Sequence, residues 1–265
     1  MFIIGERINP SGKPELSRAI REQEGSFIQG EALAQERAGA QALDINVRLR
    51  GVDPVQAIQF VVRSVREVSR LPLALDDQDP GVVEAGLRGA DARALINSPL
   101  STRWGAREER ITSTAERFGL TLVILPTNGG EVGRDLKSRV QTAQRIIARL
   151  QAGGIRRERI VMDAILLALK QVRGKVSETL EAIQRFKGEL GVQTVIGLSN
   201  LSYGLRRREE LNAKFLRLAK SCGLDYVICD PLQEAVMRAA EEPLDGGADF
   251  LQEGMVELLA FAQTC

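Results

Sequence analysis

The sequence predicts a single-domain (β/α)8 barrel spanning residues 1–265. Three observations predict it. Short apolar runs alternate with amphipathic stretches eight times, and units that alternate strand and helix imply a parallel sheet. Eight units in about 250 residues is the count and size of such a barrel. Several of the apolar runs also end in a small polar or acidic residue, at Asp44, Asp76, Asn97, Asp163 and Asn200, with Asp230 a further candidate. No composition break divides the chain. A doubly wound open sheet is the alternative, but no GxGxxG follows any strand.

The first run is Phe2-Ile3-Ile4, closed by the polar turn Glu6-Arg7-Ile8-Asn9-Pro10. Residues 31–40, rich in Ala, Glu and Gln, favour helix. Residues 42–47 form the second strand. Asp53-Pro54 then supplies a helix N-cap with proline at the first helical position, and Val55, Ile58, Val62, Val65 and Val68 follow at helical spacing. Leu73-Ala74-Leu75 is the third strand, running into Asp76 and Asp77. Pro80 and Gly81 open a short helix. Residues 93–98 give the fourth strand, and a polar helix lies near 108–118. Residues 120–125 make the fifth strand, closed by Pro126, and residues 127–130 read as a flexible loop.

Leu136, Val140, Ala143, Ile147 and Leu150 mark one face of the next helix. Residues 160–163 are the sixth strand, and Ser177 is the expected cap of a helix carrying Leu180, Ile183 and Leu190. The seventh strand is Gln193-Thr194-Val195-Ile196. It is uncharged and rich in β-branched residues, so it reads as buried on both faces, and it runs into Gly197-Leu198-Ser199-Asn200-Leu201-Ser202. Leu211, Phe215, Leu218 and Cys222 line the helix after it. Residues 226–231 hold the eighth strand, and two helices close the chain.

Composition removes several function classes. Formal net charge is +1, so no global field draws in nucleic acid or a membrane surface. No apolar run approaches the roughly 20 residues of a membrane span. The N-terminal run has no basic leader before it, so it reads as a first strand, not a signal peptide, and the expected location is cytoplasmic. The three cysteines are odd in number and without CxxC spacing, so neither a disulfide framework nor a zinc site is expected. Histidine is absent. That rules out a Ser-His-Asp triad and any His-ligated metal, and leaves acid–base work to carboxylates, Tyr, Lys or the substrate.

In a (β/α)8 barrel the active site sits at the C-terminal ends of the strands. Asp44, Asp76, Asn97, Asp163 and Asn200 would then share one mouth. Asp and Asn are also common cap and turn residues where a strand gives way to a loop; the case rests on their recurrence. A cup of carboxylates and amides suits a neutral, donor-rich heterocycle, because carboxylates accept from ring N–H and amino groups and amides do both. A divalent cation is the competing occupant, but no DxDxDG-type loop is present and no metal is expected. Arg206-Arg207-Arg208, just beyond the seventh strand, is either a solvated helix start or a clamp for an anionic ligand tail.

Residues 4–9 (IGERIN), 39–46 (GAQALDIN), 83–87 (VEAGL), 96–98 (INS), 197–202 (GLSNLS) and 211–212 (LN) together resemble the pterin-binding methyltransferases. Within that family they resemble most the methyltetrahydrofolate:corrinoid/iron–sulfur protein methyltransferases. The chain is also similar to the folate module of cobalamin-dependent methionine synthase and, more distantly, to dihydropteroate synthase. The resemblance implies a homodimeric (β/α)8 barrel that binds 5-methyltetrahydrofolate. It implies that the methyl group passes to Co(I) of a cobalamin carried by a separate corrinoid protein, leaving tetrahydrofolate, or passes in reverse. It also implies that Asp76, Asn97 and Asp163 hold the pterin ring, that Asn200 contacts N5, and that Ser199 and Arg208 are further folate contacts. N5 leaves poorly unless it gains a proton or a strong hydrogen bond as its bond to methyl breaks, and Asn200 supplies such a donor. Asp77 stands where the family usually has Ser, Ala164 where it usually has Pro, and Pro99 follows Asn97-Ser98. These departures keep a folate-binding subunit without turnover as an alternative. Dihydropteroate synthase is disfavoured, because Ser199-Asn200 occupies the place of its Ser-Arg-Lys segment.

Overall fold

The computed structural model describes residues 1–90, 93–97, 104–128, 131–132, 135–171, 176–243 and 248–265. Its strands in chain order are β1 (Phe2–Ile8), β2 (Ala42–Ile45), β3 (Leu73–Asp76), β4 (Leu95–Asn97), β5 (Thr121–Ile124), β6 (Thr127–Asn128), β7 (Glu131–Val132), β8 (Ile160–Asp163), β9 (Gln193–Gly197) and β10 (Tyr226–Cys229). Eight of them close into one barrel in the order β1-β10-β9-β8-β5-β4-β3-β2, and every pairing in it is parallel. The helices are α1 (Pro14–Glu22), α2 (Gly25–Arg37), α3 (Pro54–Val68), α4 (Pro80–Leu87), α5 (Ala106–Phe118), α6 (Leu136–Ala152), α7 (Val176–Leu190), α8 (Arg208–Ser221), α9 (Glu234–Glu241) and α10 (Ala248–Ala262). The expected barrel is therefore the observed one.

Side chains on a strand alternate between its two faces, and here both faces are buried. Ile4, Ala42, Ala74, Leu95, Val123, Val161 and Val195 form a core inside the barrel, with Phe2, Tyr226 and Ile228 packed against it. Leu43, Leu73, Leu75, Ile96, Leu122, Met162 and Ile196 face outward into the larger core shared with the helices. At the N-terminal end the Phe2 and Tyr226 rings sit 5.1 Å apart and close the floor. Local chemistry fixes where the helices begin. Asp53 accepts from Val55 N at 2.9 Å and Asp79 from Gly81 N at 2.7 Å, each followed by proline, and Asp135 accepts from Ser138 N.

Several boundaries differ from the sequence expectation. Helix α1 is an additional element, and α2 begins at Gly25, six residues before the expected 31, because Ile28 already buries. The fifth strand ends at Ile124, and Thr127–Asn128 pairs antiparallel with Glu131–Val132 where a loop was expected. Helix α7 starts at Val176, so Ser177 lies within its first turn. Of the fourth strand's expected residues Leu95–Asn97 are strand; Ser98 and Pro99 lie outside the described residues, as do Gly129 and Gly130. Among the described residues no helix is long and apolar enough to cross a membrane.

Candidate pterin site at the barrel mouth

The mouth follows from the interior core by counting. Two residues beyond an inward-facing residue lies the next inward-facing one. From Ile4, Ala42, Ala74, Leu95, Val161, Val195 and Ile228 this gives Glu6, Asp44, Asp76, Asn97, Asp163, Gly197 and Asp230. On six of the eight strands the apolar plug thus gives way, within one residue pair, to a ring of carboxylates and an amide at the C-terminal end, while β5 continues with Leu125 and β9 with Gly197.

The ring is internally paired. Asn97 Nδ2 donates to Asp44 Oδ1 at 2.9 Å, and Asn46 Nδ2 donates to Asp76 Oδ2 at 2.9 Å. Asn46 is itself oriented, since its Oδ1 accepts from Arg48 N at 2.9 Å. Asp163 Oδ1 accepts from Ile165 N at 2.7 Å, across a turn in which Ile165 holds φ +58°. Across the mouth the Ser199 hydroxyl donates to Glu6. Arg208 donates to Ser202 Oγ at 3.1 Å and to the Ser199 carbonyl at 3.0 Å, bracing the 3-10 turn Leu198–Asn200. Arg7 bridges Glu31 and Asp230, at 2.6 and 3.0 Å.

Asn200 lies on that turn, exposed, and among the described residues its side-chain amide has no protein partner. Gly197 makes room for it: Asn200 Nδ2 lies 3.1 Å from where a Cβ at Gly197 would stand. The Gly197-Leu198-Ser199-Asn200 order thus folds the amide back over the end of β9.

Burial sets the electrostatics. Desolvation raises the Asp44 carboxyl well above its usual range; repulsion from Asp76 adds to this and the Asn97 bond opposes it. Asp76 is raised by burial first, against the Asn46 bond, with Asp77 pushing the same way. Asp163 is pushed up to about 6 by burial, partly offset by the Ile165 N–H. Glu6 is raised by burial, opposed by the Ser199 bond. The mouth therefore stores unfavourable charge that ring N–H and amino donors would relieve. Among the described residues no cluster of three or more His, Cys, Asp or Glu is arranged to hold a metal ion.

A family model described as "Pterin binding enzyme" matches residues 5–230. The chain belongs to the pterin-binding enzyme family. Methionine synthase of Mycobacterium leprae (strain TN) is 30% identical over 239 residues, covering 86% of the chain; the chain spans 20% of that relative's length. Methylcorrinoid:tetrahydrofolate methyltransferase of Eubacterium limosum is 25% identical over 249 residues, covering 90% of this chain and 88% of that one. Among solved structures, dihydropteroate synthase from Xanthomonas albilineans in complex with 7,8-dihydropteroate superposes with a TM-score of 0.67 at 18% identity, covering 90% of this chain and 89% of that chain. The Yersinia pestis enzyme superposes at 0.65 and 16%, covering 100% and 94%. At these identities the structural likeness is one of fold.

For this pterin-binding barrel the sequence candidates fall in two groups. Asp76, Asn97 and Asp163 stand in the inward ring on β3, β4 and β8. Ser199, Asn200 and Arg208 stand together at the end of β9 and the start of α8. The arginine run divides: Arg207, at φ +49°, pairs with Glu210 and lies over the Phe261 ring, so only Arg208 bonds to the turn. Asp77 is buried facing away from the ring, held by Arg48 at 2.5 and 2.6 Å. Sequence reasoning assigned no site role to Glu6 and Asn46, though each lies two residues beyond an inward-facing one.

Proposed function

We propose that the chain is a methyltransferase that moves a methyl group between N5 of 5-methyltetrahydrofolate and the cobalamin of a separate corrinoid protein. The observation that carries this reading is the mouth itself, a histidine-free ring of carboxylates and amides, with the Asn200 amide at its rim unpartnered among the described residues. Asp76, Asn97 and Asp163 hold the pterin ring. Their carboxylates accept from its N–H and amino groups, and Asn97 stays oriented by Asp44. Bonds of this charge-assisted kind are the stronger ones, and each relieves charge that burial has made unfavourable. Asn200 donates a hydrogen bond to N5 as the bond to methyl breaks, a contact stronger in the transition state than in the ground state, and solvent at this exposed rim supplies the proton that N5 keeps. Ser199 is held by Glu6, and with Arg208 it flanks the folate on the β9 side. When bound, the partner's cobalamin supplies the cobalt centre that exchanges the methyl group, so the barrel needs no nucleophile of its own.

The relation to the Eubacterium limosum methyltransferase over nearly the full length of both chains supports this reading, and with it a corrinoid partner. A homodimer, one domain over residues 1–265 and a cytoplasmic setting belong to the same proposal. Calorimetric titration with 5-methyltetrahydrofolate tests the binding half. Saturable binding that Asp76→Ala or Asn97→Ala weakens supports it, and absence of binding by the intact protein overturns it.

A further inference from the structure

The first strand breaks the alternation that builds the rest of the mouth. Ile4 faces the barrel interior, yet Ile8 lies in the outer core. Regular alternation would put both on one face. The change of face is a β-bulge: Gly5 pairs with Leu43 and Ile8 with Ile45, so the β1 segment carries one more residue than the β2 segment opposite. The bulge takes the Arg7 N–H out of the ladder. Gln35 of α2, wholly buried, receives it: Gln35 Oε1 accepts from Arg7 N at 2.9 Å, and Gln35 Nε2 donates to the Glu31 carbonyl at 3.2 Å. The amide fits because position 5 is glycine; a Cβ there would run into Gln35 Oε1. The two residues in the bulge are the two that carry chemistry, Glu6 bonded to Ser199 and Arg7 bonded to Glu31 and Asp230.

We propose that Gln35 is a positioning residue: by holding the bulge through the Arg7 N–H, it aims Glu6 across the mouth at Ser199 and Arg7 at Asp230. A buried polar side chain with both ends hydrogen-bonded, packed against a glycine that admits it, specifies one backbone course where an apolar side chain would specify none. Bulges at barrel rims commonly re-aim a side chain in this way. The inference rests on the pterin reading only for its binding arm.

The first arm needs no ligand. The Glu6 carboxyl is titrated by 13C NMR and assigned with Glu6→Gln. The groups facing it are Ser199, Lys13, Asp230, Arg208, Asp44 and Cys229, and all of them remain when Gln35 is changed. Gln35→Met removes the amide at similar volume. In Gln35→Glu, burial keeps the new carboxyl protonated, so it can both accept and donate as the amide did. The Glu6 midpoint is expected to move by about half a unit or more in Gln35→Met and to stay near wild type in Gln35→Glu. An unchanged midpoint in folded Gln35→Met overturns the proposal. Should that variant not fold, hydrogen exchange in the wild-type protein decides: an Arg7 amide that exchanges as fast as an exposed loop overturns it. In the binding arm, Gln35→Met should weaken 5-methyltetrahydrofolate binding about tenfold, but less than about twofold in a Glu6→Gln background, because the two residues act as one unit. Equal losses in both backgrounds mean a general structural role and overturn the proposal. A wild-type protein that binds no folate counts against the proposed function and leaves the NMR arm to decide this one.

Discussion

Replacing Asp163 by asparagine should stabilise the ligand-free protein at neutral pH. Its carboxyl is pushed by burial from an ordinary 3.8 up to about 6. Between those values the folded protein keeps a proton that the unfolded chain has released, so this group's contribution to stability falls as pH rises through the window and stays low above it. At about 1.36 kcal/mol per pH unit, the ionised carboxylate costs at most about 3 kcal/mol above neutrality. The substituted amide cannot ionise, and its oxygen can still accept the Ile165 N–H now held at 2.7 Å. Urea unfolding of both proteins at several pH values reads the difference. The variant should gain roughly 2–3 kcal/mol near pH 8 and about nothing near pH 4. A variant no more stable at pH 8, or a gain that does not change with pH, would refute the reasoning. Such strain is expected of a site tuned for a ligand and not for the empty fold.

Folate affinity should depend on pH through the same carboxyl. Binding that needs ionised Asp163 weakens by about tenfold per unit below pH 6 and levels off above it, which calorimetry across pH 5–8 would detect; affinity flat over this range removes Asp163 as an acceptor. The Arg48–Asp77 pair should break asymmetrically. Asp77 is buried while the Arg48 side chain is half-exposed, so Arg48→Ala leaves a buried carboxylate without its charge partner, with the Asp79 N–H still bonded to it at 2.7 Å, and should cost about 2–3 kcal/mol, against about 1 kcal/mol for Asp77→Asn. Thermal melts of both variants check the order, and equal losses contradict it.

The barrel was legible because most of its strands announce themselves twice, as uncharged apolar runs and as runs that stop at Asp or Asn. Asp44, Asp76, Asn97 and Asp163 were found by that stop. Glu6 was harder. It follows Ile4 by two, as Asp76 follows Ala74, but it sits inside a longer polar stretch that reads as a turn, and the bulge at Arg7 erases the alternation beyond it. Asn46 follows Asp44 by two and continues the inward row just past the end of β2, but the acidic stop at Asp44 drew the site assignment first. Helix α1 carried a signal that went unused, with Pro14 at its first position and Leu16, Ala19 and Ile20 at helical spacing. The β6–β7 hairpin has two residues per strand, too few for a pattern. Local pattern did not separate the three arginines, and only the family resemblance singled out Arg208, because which one faces the mouth depends on where α8 begins, and the left-handed Arg207 sets that start.

The most direct test of the account is methyl transfer from 5-methyltetrahydrofolate to Co(I) cobalamin by the purified protein, beside its Asn200→Ala variant. In the proposed function the Asn200 amide serves N5 as its bond to methyl breaks. The wild-type protein should transfer methyl, with kcat in the variant lower by about 10²–10³ and folate affinity reduced far less. Transfer that survives the substitution unchanged, or folate binding by the wild type without any transfer, would contradict it.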